Sequence, residues 1–293
     1  MEKKPIAFLG LGLMGSGMAG RLLSHGFHVT VYNRNPQKAA ALAQAGAGVA
    51  NSPREATQGA GIIISMLADD VAARSVWLGE NGALAGAASG TVLVESSTVS
   101  VGWVSELAAA AAQKKCDLLD APVTGSKNQA AAGELNFLVG GSASALEAAR
   151  PALAAMSRSI VHLGPSGSGA LLKLINNFLC GVQVAALAEG MALIEKGGLD
   201  RAKALEILAN GAPGSPLVKT LSARMTAQDY NPHFLLRLMA KDLAYAVAEG
   251  NKLSLNLATA SAALELFKQG VASGQGDMDI AAVVEQFRTG PNP

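Results

Sequence analysis

Gly10-Leu-Gly12-Leu-Met-Gly15 follows the short apolar run Ile6–Leu9 and opens a helical pattern, and that order constrains the fold more than any other feature. A strand that turns directly into a helix around a phosphate needs three glycines. One makes the tight turn, one lets backbone N–H groups approach a pyrophosphate, and one lets the helix close on the strand. Gly10, Gly12 and Gly15 stand at those positions. In a chain with 33 glycines the hexapeptide alone is a weak signal. Here strand, loop, helix and second strand follow in order, so Gly10, Leu11, Gly12, Leu13, Met14 and Gly15 read as a dinucleotide phosphate loop.

The residues after the second strand bear on which dinucleotide. A loop built for NAD carries Asp or Glu there, on the ribose 2′-hydroxyl. This chain has Tyr32-Asn33-Arg34-Asn35-Pro36-Gln37-Lys38 instead. Arg34 and Lys38 are either solvated cations at a helix end or partners for a 2′-phosphate. Their position favours the second reading, and NADP over NAD.

From residue 5 to about 163 short apolar runs alternate with helical patterns, as parallel βαβ units require. Ile6–Leu9, His28–Tyr32, Gly61–Met66, Thr91–Val94 and Cys116–Leu119 read as buried strands, with Leu135–Val139 and Ser159–Leu163 as two more. Asn35 and Ser52, each followed by proline, read as helix caps, and Gly26 as the left-handed end of the first helix. Beyond Gly164-Pro165-Ser-Gly-Ser-Gly169 the pattern is helical throughout. A proline-free stretch from about Gly169 to Lys196 predicts a helix roughly 40 Å long. Asp200–Asn210, Pro216–Met225, His233–Asn251, Leu255–Gly270 and Asp279–Arg288 follow, with Thr289–Pro293 as a frayed tail. The expected fold class is α/β: a Rossmann-type doubly wound, mostly parallel sheet over 1–164, then an all-α substrate and oligomerisation domain over 165–293. The helix at about 169–196 links the two lobes, and the crevice between them is the natural site.

Composition removes several function classes. Lys+Arg 23 against Asp+Glu 22 leaves a formal net charge of +1, so no strong field attracts nucleic acid or an anionic membrane. Cys116 and Cys180 lie far apart and the four histidines share no ligand spacing, which argues against disulfides, zinc or another metal. Lys173, Asn176, Asn177, Gln183 and Glu189 interrupt the apolar stretch Leu171–Ile194, against a membrane span. The opening Met-Glu-Lys-Lys-Pro runs straight into Ile6–Leu9, an apolar run too short for a secretory segment. A soluble, cytoplasmic protein is expected.

Two segments carry candidate chemistry. Lys173 and Asn177 are four apart on the long helix and share a face. A lysine at the lobe junction can protonate an oxygen that becomes an alkoxide during carbonyl reduction, or it can be a snorkelling surface lysine. Asp120-Ala-Pro-Val-Thr124-Gly125-Ser126-Lys127-Asn128 can hold an anion on backbone N–H groups, or be an ordinary turn. Lys241-Asp242 lies in a helical pattern and by default faces solvent.

Taken together these segments resemble the β-hydroxyacid dehydrogenase family, which includes 3-hydroxyisobutyrate dehydrogenases, tartronate semialdehyde reductases and glyoxylate/succinic semialdehyde reductases. Phe8 to Ala19 resembles the family's cofactor signature, Glu95-Ser-Ser-Thr98-Val the segment that reaches the nicotinamide, and Asp120 to Gly125 the substrate-binding motif. Gly169 to Asn177 resembles the catalytic motif, and Phe234 with Met239-Ala-Lys241-Asp242-Leu the C-terminal segment that closes over cofactor and substrate. The resemblance implies that Lys173 donates the proton and that Thr124, Gly125, Asn177, Phe234 and Asp242 bind substrate. It implies that Thr98, Met66, Leu67 and Lys241 join the phosphate loop, Asn33, Arg34 and Lys38 around the cofactor.

Thr124 stands where the family more often has serine, and Ser126-Lys127 where tartronate semialdehyde reductases carry a further glycine. With Asn33-Arg34, that is similar to the NADP-dependent glyoxylate/succinic semialdehyde reductase branch. The expected activity is NADPH-dependent reduction of a small aldehydo acid by a homodimer or homotetramer. A 3-hydroxyisobutyrate or tartronate semialdehyde type dehydrogenase, an imine reductase and a non-catalytic cofactor-binding module are the alternatives.

Overall fold

The computed structural model describes residues 3–288, so the expected tail Thr289–Pro293 lies outside the described residues. The chain divides into two compact units, Met1–Lys173 and Leu174–Pro293.

The first unit is built on one sheet of nine strands: β1 (Ile6–Leu9), β2 (Val29–Tyr32), β3 (Gly48–Val49), β4 (Ile62–Ser65), β5 (Val92–Glu95), β6 (Asp117–Asp120), β7 (Val123–Thr124), β8 (Leu135–Gly140) and β9 (Ser157–Gly164). The order is β3-β2-β1-β4-β5-β6-β8-β7, with β9 on β8. Strands β3 through β6 run parallel, β8 is antiparallel to β6 and β7, and β9 is parallel to β8. The two-residue strands β3 and β7 were not expected, because so short a run has no periodicity to detect.

Apolar residues fill β1, β4 and β5 almost continuously because helices cover both faces. Alternate side chains go to opposite sides. Phe8, Val31, Ile64, Val94 and Phe137 pack with Met18, Leu22 and Leu153, while Ala7, Leu9, Ile63 and Leu93 pack with Trp77, Trp103 and Leu107. The expected caps form: Asn35 accepts from the Gln37 N–H, Ser52 accepts from the Glu55 N–H, and Gly26 has φ +73°. A Cβ on Gly17 would stand 2.9 Å from the Ala131 N, so the helix Gly15–Ser24 lies directly against the helix Lys127–Ala132.

The second unit is helical: the later part of Ser168–Lys196, then Arg201–Asn210, Pro216–Ala227, Leu236–Lys252 and Ala258–Gly270. The expected last helix differs in kind. Ile280–Val284 is 3₁₀, capped by Asp279, and only Glu285–Arg288 is α-helical. Val184, Ala188 and Met191 of the long helix pack with Leu221, Met225, Leu236, Met239, Leu243 and Phe267. Ser168–Lys196 is long and apolar enough to cross a membrane by length and composition alone. Val184, Ala188 and Met191 place one face of it in this core, and polar groups are spaced along it.

Candidate active site

In the phosphate loop the three glycines face different constraints. Gly10 has φ +100°, and a Cβ there would lie 2.4 Å from the Met66 carbonyl oxygen. A Cβ on Gly15 would lie 2.0 Å from the Gly10 oxygen. Both positions therefore exclude any side chain. A Cβ on Gly12 would meet nothing within 4 Å, and Gly12 and Leu13 are exposed. Gly10 and Gly15 make the tight turn, and Gly12 leaves its crest open at a helix N-terminus, as a pyrophosphate requires. The loop fits a dinucleotide.

Asn33 ties this loop to the end of β2. Its Oδ1 accepts from the Leu11 N–H at 2.9 Å, and its Nδ2 donates to the Asn35 oxygen at 2.8 Å. Arg34 and Lys38 are exposed, and a groove of about 450 Å³ beside Arg34 is lined by Tyr32, Asn51, Ser52 and Ser75. A larger groove, about 750 Å³, lies between Arg201–Asn210 and Pro216–Ala227 and contains none of the expected site residues.

A buried carboxylate to which the sequence assigns no role of its own organises the segments expected at the nicotinamide. Glu95 ends β5 with no exposed surface. It accepts from Ser65 Oγ at 2.7 Å, the Ser97 N–H at 3.0 Å and Trp77 Nε1 at 2.9 Å. Ser97 Oγ in turn accepts from the Leu67 N–H at 2.7 Å. One carboxylate thus fixes the segments carrying Met66, Leu67 and Thr98.

Thr124 and Gly125 sit in a built strand–turn–helix. Thr124 Oγ1 accepts from Asn136 Nδ2 at 3.2 Å, and Asn136 Oδ1 accepts from Ser159 Oγ at 2.7 Å. Gly125 has φ +128°, and Ser126 and Gln129 form a capping box at the start of Lys127–Ala132. Asp120, the first residue of the same motif, points elsewhere. It is wholly buried, with Oδ1 accepting from the Gly167 N–H and Oδ2 from the Ala170 N–H, both at 2.8 Å. Burial pushes its carboxyl above the ordinary range, and the backbone donors pull against that shift.

Lys173, half-buried, comes less than one turn after Ala170 on the helix that Asp120 anchors. One turn further, in the second unit, Asn177 is 4% exposed and its Nδ2 donates to Asp242 Oδ2 at 2.6 Å. Asn177 Oδ1 accepts from Asn176 Nδ2 at 2.9 Å. Lys241 pairs with Asp242 at 2.9 Å and stands over the Tyr245 ring. The default expectation of a solvent-facing Lys241-Asp242 pair is corrected here: Asp242 is 1% exposed because it anchors Asn177. Phe234 is partly buried, and its N–H and that of His233 donate to the buried Asp279. Asp279 also pairs with Arg224 at 3.1 Å.

Sequence spacing singled out the phosphate loop and put Lys173 and Asn177 one turn apart on one helix, while the resemblance supplied the roles expected of them. Spacing did not reveal the anchoring roles of Glu95, Asp120 and Asp279, since a single carboxylate at a strand or loop end leaves no periodic trace. The one available signal was position: Glu95 and Asp120 each close an apolar strand.

Two family profiles match the chain, and they meet between residues 164 and 167. Residues 5–164 match the profile described as the NAD binding domain of 6-phosphogluconate dehydrogenase, and residues 167–287 the profile described as the NAD-binding of NADP-dependent 3-hydroxyisobutyrate dehydrogenase. The chain is 37% identical to the NAD-dependent L-serine dehydrogenase of Pseudomonas aeruginosa, over 97% of this chain and 98% of that one. It is 36% identical to glyoxylate/succinic semialdehyde reductase 1 of Arabidopsis thaliana, over 97% and 98%. The solved structure of Mycobacterium tuberculosis 3-hydroxyisobutyrate dehydrogenase with L-serine superposes with a TM-score of 0.88 at 33% identity, covering 98% of this chain and all of that one. With a phosphate loop shaped for a dinucleotide and full-length relatives of this kind, the chain belongs to the β-hydroxyacid dehydrogenase family of NAD(P)-binding oxidoreductases.

Proposed function

We propose that the chain reduces a small aldehydo acid, glyoxylate or succinic semialdehyde or one of similar size, to the hydroxy acid with NADPH, and that Lys173 is the general acid. The observation that carries this reading is the anchoring of the Lys173 helix by the strand end that leads into Thr124 and Gly125. A donor and an anion-holding loop fixed to one carboxylate suit a substrate with a carbonyl and a carboxylate.

Gly10, Leu11, Gly12, Leu13, Met14 and Gly15 would hold the pyrophosphate, Asn33 the loop itself, and Arg34 and Lys38 the 2′-phosphate. Met66, Leu67, Thr98 and Lys241 complete that set. Bound NADPH supplies the hydride. As negative charge grows on the carbonyl oxygen, the Lys173 ammonium donates a proton to it and is left neutral, to be recharged from water. Thr124 Oγ1 and the Gly125 backbone hold the substrate carboxylate. Asn177 spends one amide hydrogen on Asp242, and its second orients the carbonyl. Phe234 supplies an apolar wall. Exposed Leu179, Leu193, Leu199 and Ile207 support assembly as a homodimer or homotetramer, and the cytoplasm is the compartment proposed for it.

The NAD-dependent L-serine dehydrogenase among the relatives favours a second reading, oxidation of a short 3-hydroxy acid of the 3-hydroxyisobutyrate or tartronate type. Initial rates separate the two. NADPH and NADH oxidation are followed with glyoxylate, succinic semialdehyde, tartronate semialdehyde and methylmalonate semialdehyde, and NADP⁺ and NAD⁺ reduction with L-serine and 3-hydroxyisobutyrate. The highest kcat/KM is expected with NADPH and glyoxylate or succinic semialdehyde. A clear preference for NADH, or turnover of cyclic imines alone, would overturn the proposal.

A further inference from the structure

Asp120 stands at a crowded junction that only backbone atoms can share. A Cβ on Gly140 would lie 2.5 Å from Asp120 Oδ1 and 2.8 Å from the Pro165 oxygen. A Cβ on Gly169 would lie 2.3 Å from the Leu138 oxygen and 2.6 Å from the Asp120 oxygen. The ends of β6 and β8 therefore come close to the first turn of the helix Ser168–Lys196, where backbone oxygens and the Asp120 carboxylate crowd both glycines. Its two oxygens take one helix-start N–H each. This leaves the carboxylate no role as a substrate ligand, although it opens the motif that the resemblance assigns to substrate. What it does fix is the height and direction of the helix at Ala170, and Lys173 follows within one turn.

Resting on the proposed role of Lys173, we infer that Asp120 is a positioning residue for the proton transfer: it sets where the Lys173 ammonium stands relative to Thr124 and Gly125. Both ends of the relation spring from Asp120. The chain leaves it toward Thr124 in one direction, and its side chain holds the helix start in the other. An isolated carboxylate capping a helix would act on stability alone. One that fixes a general acid acts on the chemical step, where a displacement of about 1 Å costs on the order of a hundredfold.

The test is a double-mutant cycle read in kcat, with NADPH binding followed by fluorescence titration. Asp120→Asn keeps the shape but turns an amide donor toward one of the two backbone N–H groups. It should lower kcat by about ten- to hundredfold while NADPH binds within about twofold of the parent. Lys173→Ala lowers kcat on its own account. If Asp120 acts through Lys173, adding Asp120→Asn to Lys173→Ala changes kcat little further, because residues that act as a unit are not additive. Losses that multiply in the double variant would overturn the positioning role and leave the lysine assignment standing. A Lys173→Ala variant with near-parental kcat would instead remove the reading on which the inference rests, and that is visible in the single variant. Should Asp120→Asn not fold, Asp120→Ser carries the same cycle, since it removes the carboxylate without adding bulk to the junction.

Discussion

Replacing Asn33 by alanine removes both bonds that tie the phosphate loop to the end of β2. The amide accepts from Leu11 N–H at 2.9 Å and donates to the Asn35 oxygen at 2.8 Å. Each neutral bond contributes about 0.5–1.5 kcal/mol net, so the pair contributes about 1–3 kcal/mol. That energy holds the loop in its binding shape before the ligand arrives, and in the variant the ligand must order it instead. At about 1.4 kcal/mol per decade, NADPH should bind roughly five- to hundredfold more weakly. Fluorescence titration of NADPH, with a thermal melt alongside, reads the effect. Asn33→Asp sharpens the case. Its carboxylate still accepts from Leu11 but cannot donate to Asn35, and it brings a negative charge beside Arg34, so NADPH should suffer more than NADH. Asn33→Ala binding NADPH within twofold of the parent would refute the argument that this amide pre-shapes the loop.

Other outcomes follow from the same structure. Arg34→Ala should raise the KM for NADPH about tenfold or more with NADH little changed, and an equal loss for both would refute the 2′-phosphate assignment. Hydrogen bonding from Arg288, with its charge, holds the Glu195 carboxyl below the usual carboxylate range. A lowered folded value stabilises above the ordinary glutamate pKa of about 4.3, and that contribution is lost as pH falls through the lowered value. Arg288→Gln should therefore melt lower at neutral pH and lose less on acidification, and parallel curves would contradict this. Light scattering should give a multiple of 29.6 kDa at micromolar concentration, and a monomer would remove the proposed assembly.

The α/β order was legible because buried strands and glycine-bounded helices have strong local signals. Ile6–Leu9, the three loop glycines, Asn35 and Ser52 all behave as their residue types dictate. The breaks in that legibility are equally physical. Gly48–Val49 and Val123–Thr124 are strands only because a neighbour supplies their hydrogen bonds. Ile280–Val284 winds as 3₁₀ although its apolar run suits an α-helix, since Asp279 caps it while gripping His233 and Phe234. Lys241-Asp242 looks like a solvated pair until Asn177, 65 residues away in sequence, turns out to be its partner. For the site, motif position pointed to the residues expected to touch ligand, whereas the holding roles of Glu95 and Asp120 emerge only once the chain is folded.

Turnover of Lys173→Ala at saturating substrate and NADPH tests the central assignment most directly, paired with NADPH titration of the same protein. A positioned general acid contributes about 10²–10⁴-fold, so kcat should fall at least about a hundredfold. NADPH affinity should stay near that of the parent, because the phosphate loop at Gly10–Gly15 lies on another element. Lys173→Arg should be poor as well, since a guanidinium is a far weaker proton donor of different shape. A kcat within a few-fold of the parent would contradict the account and leave Lys173 at most a substrate anchor.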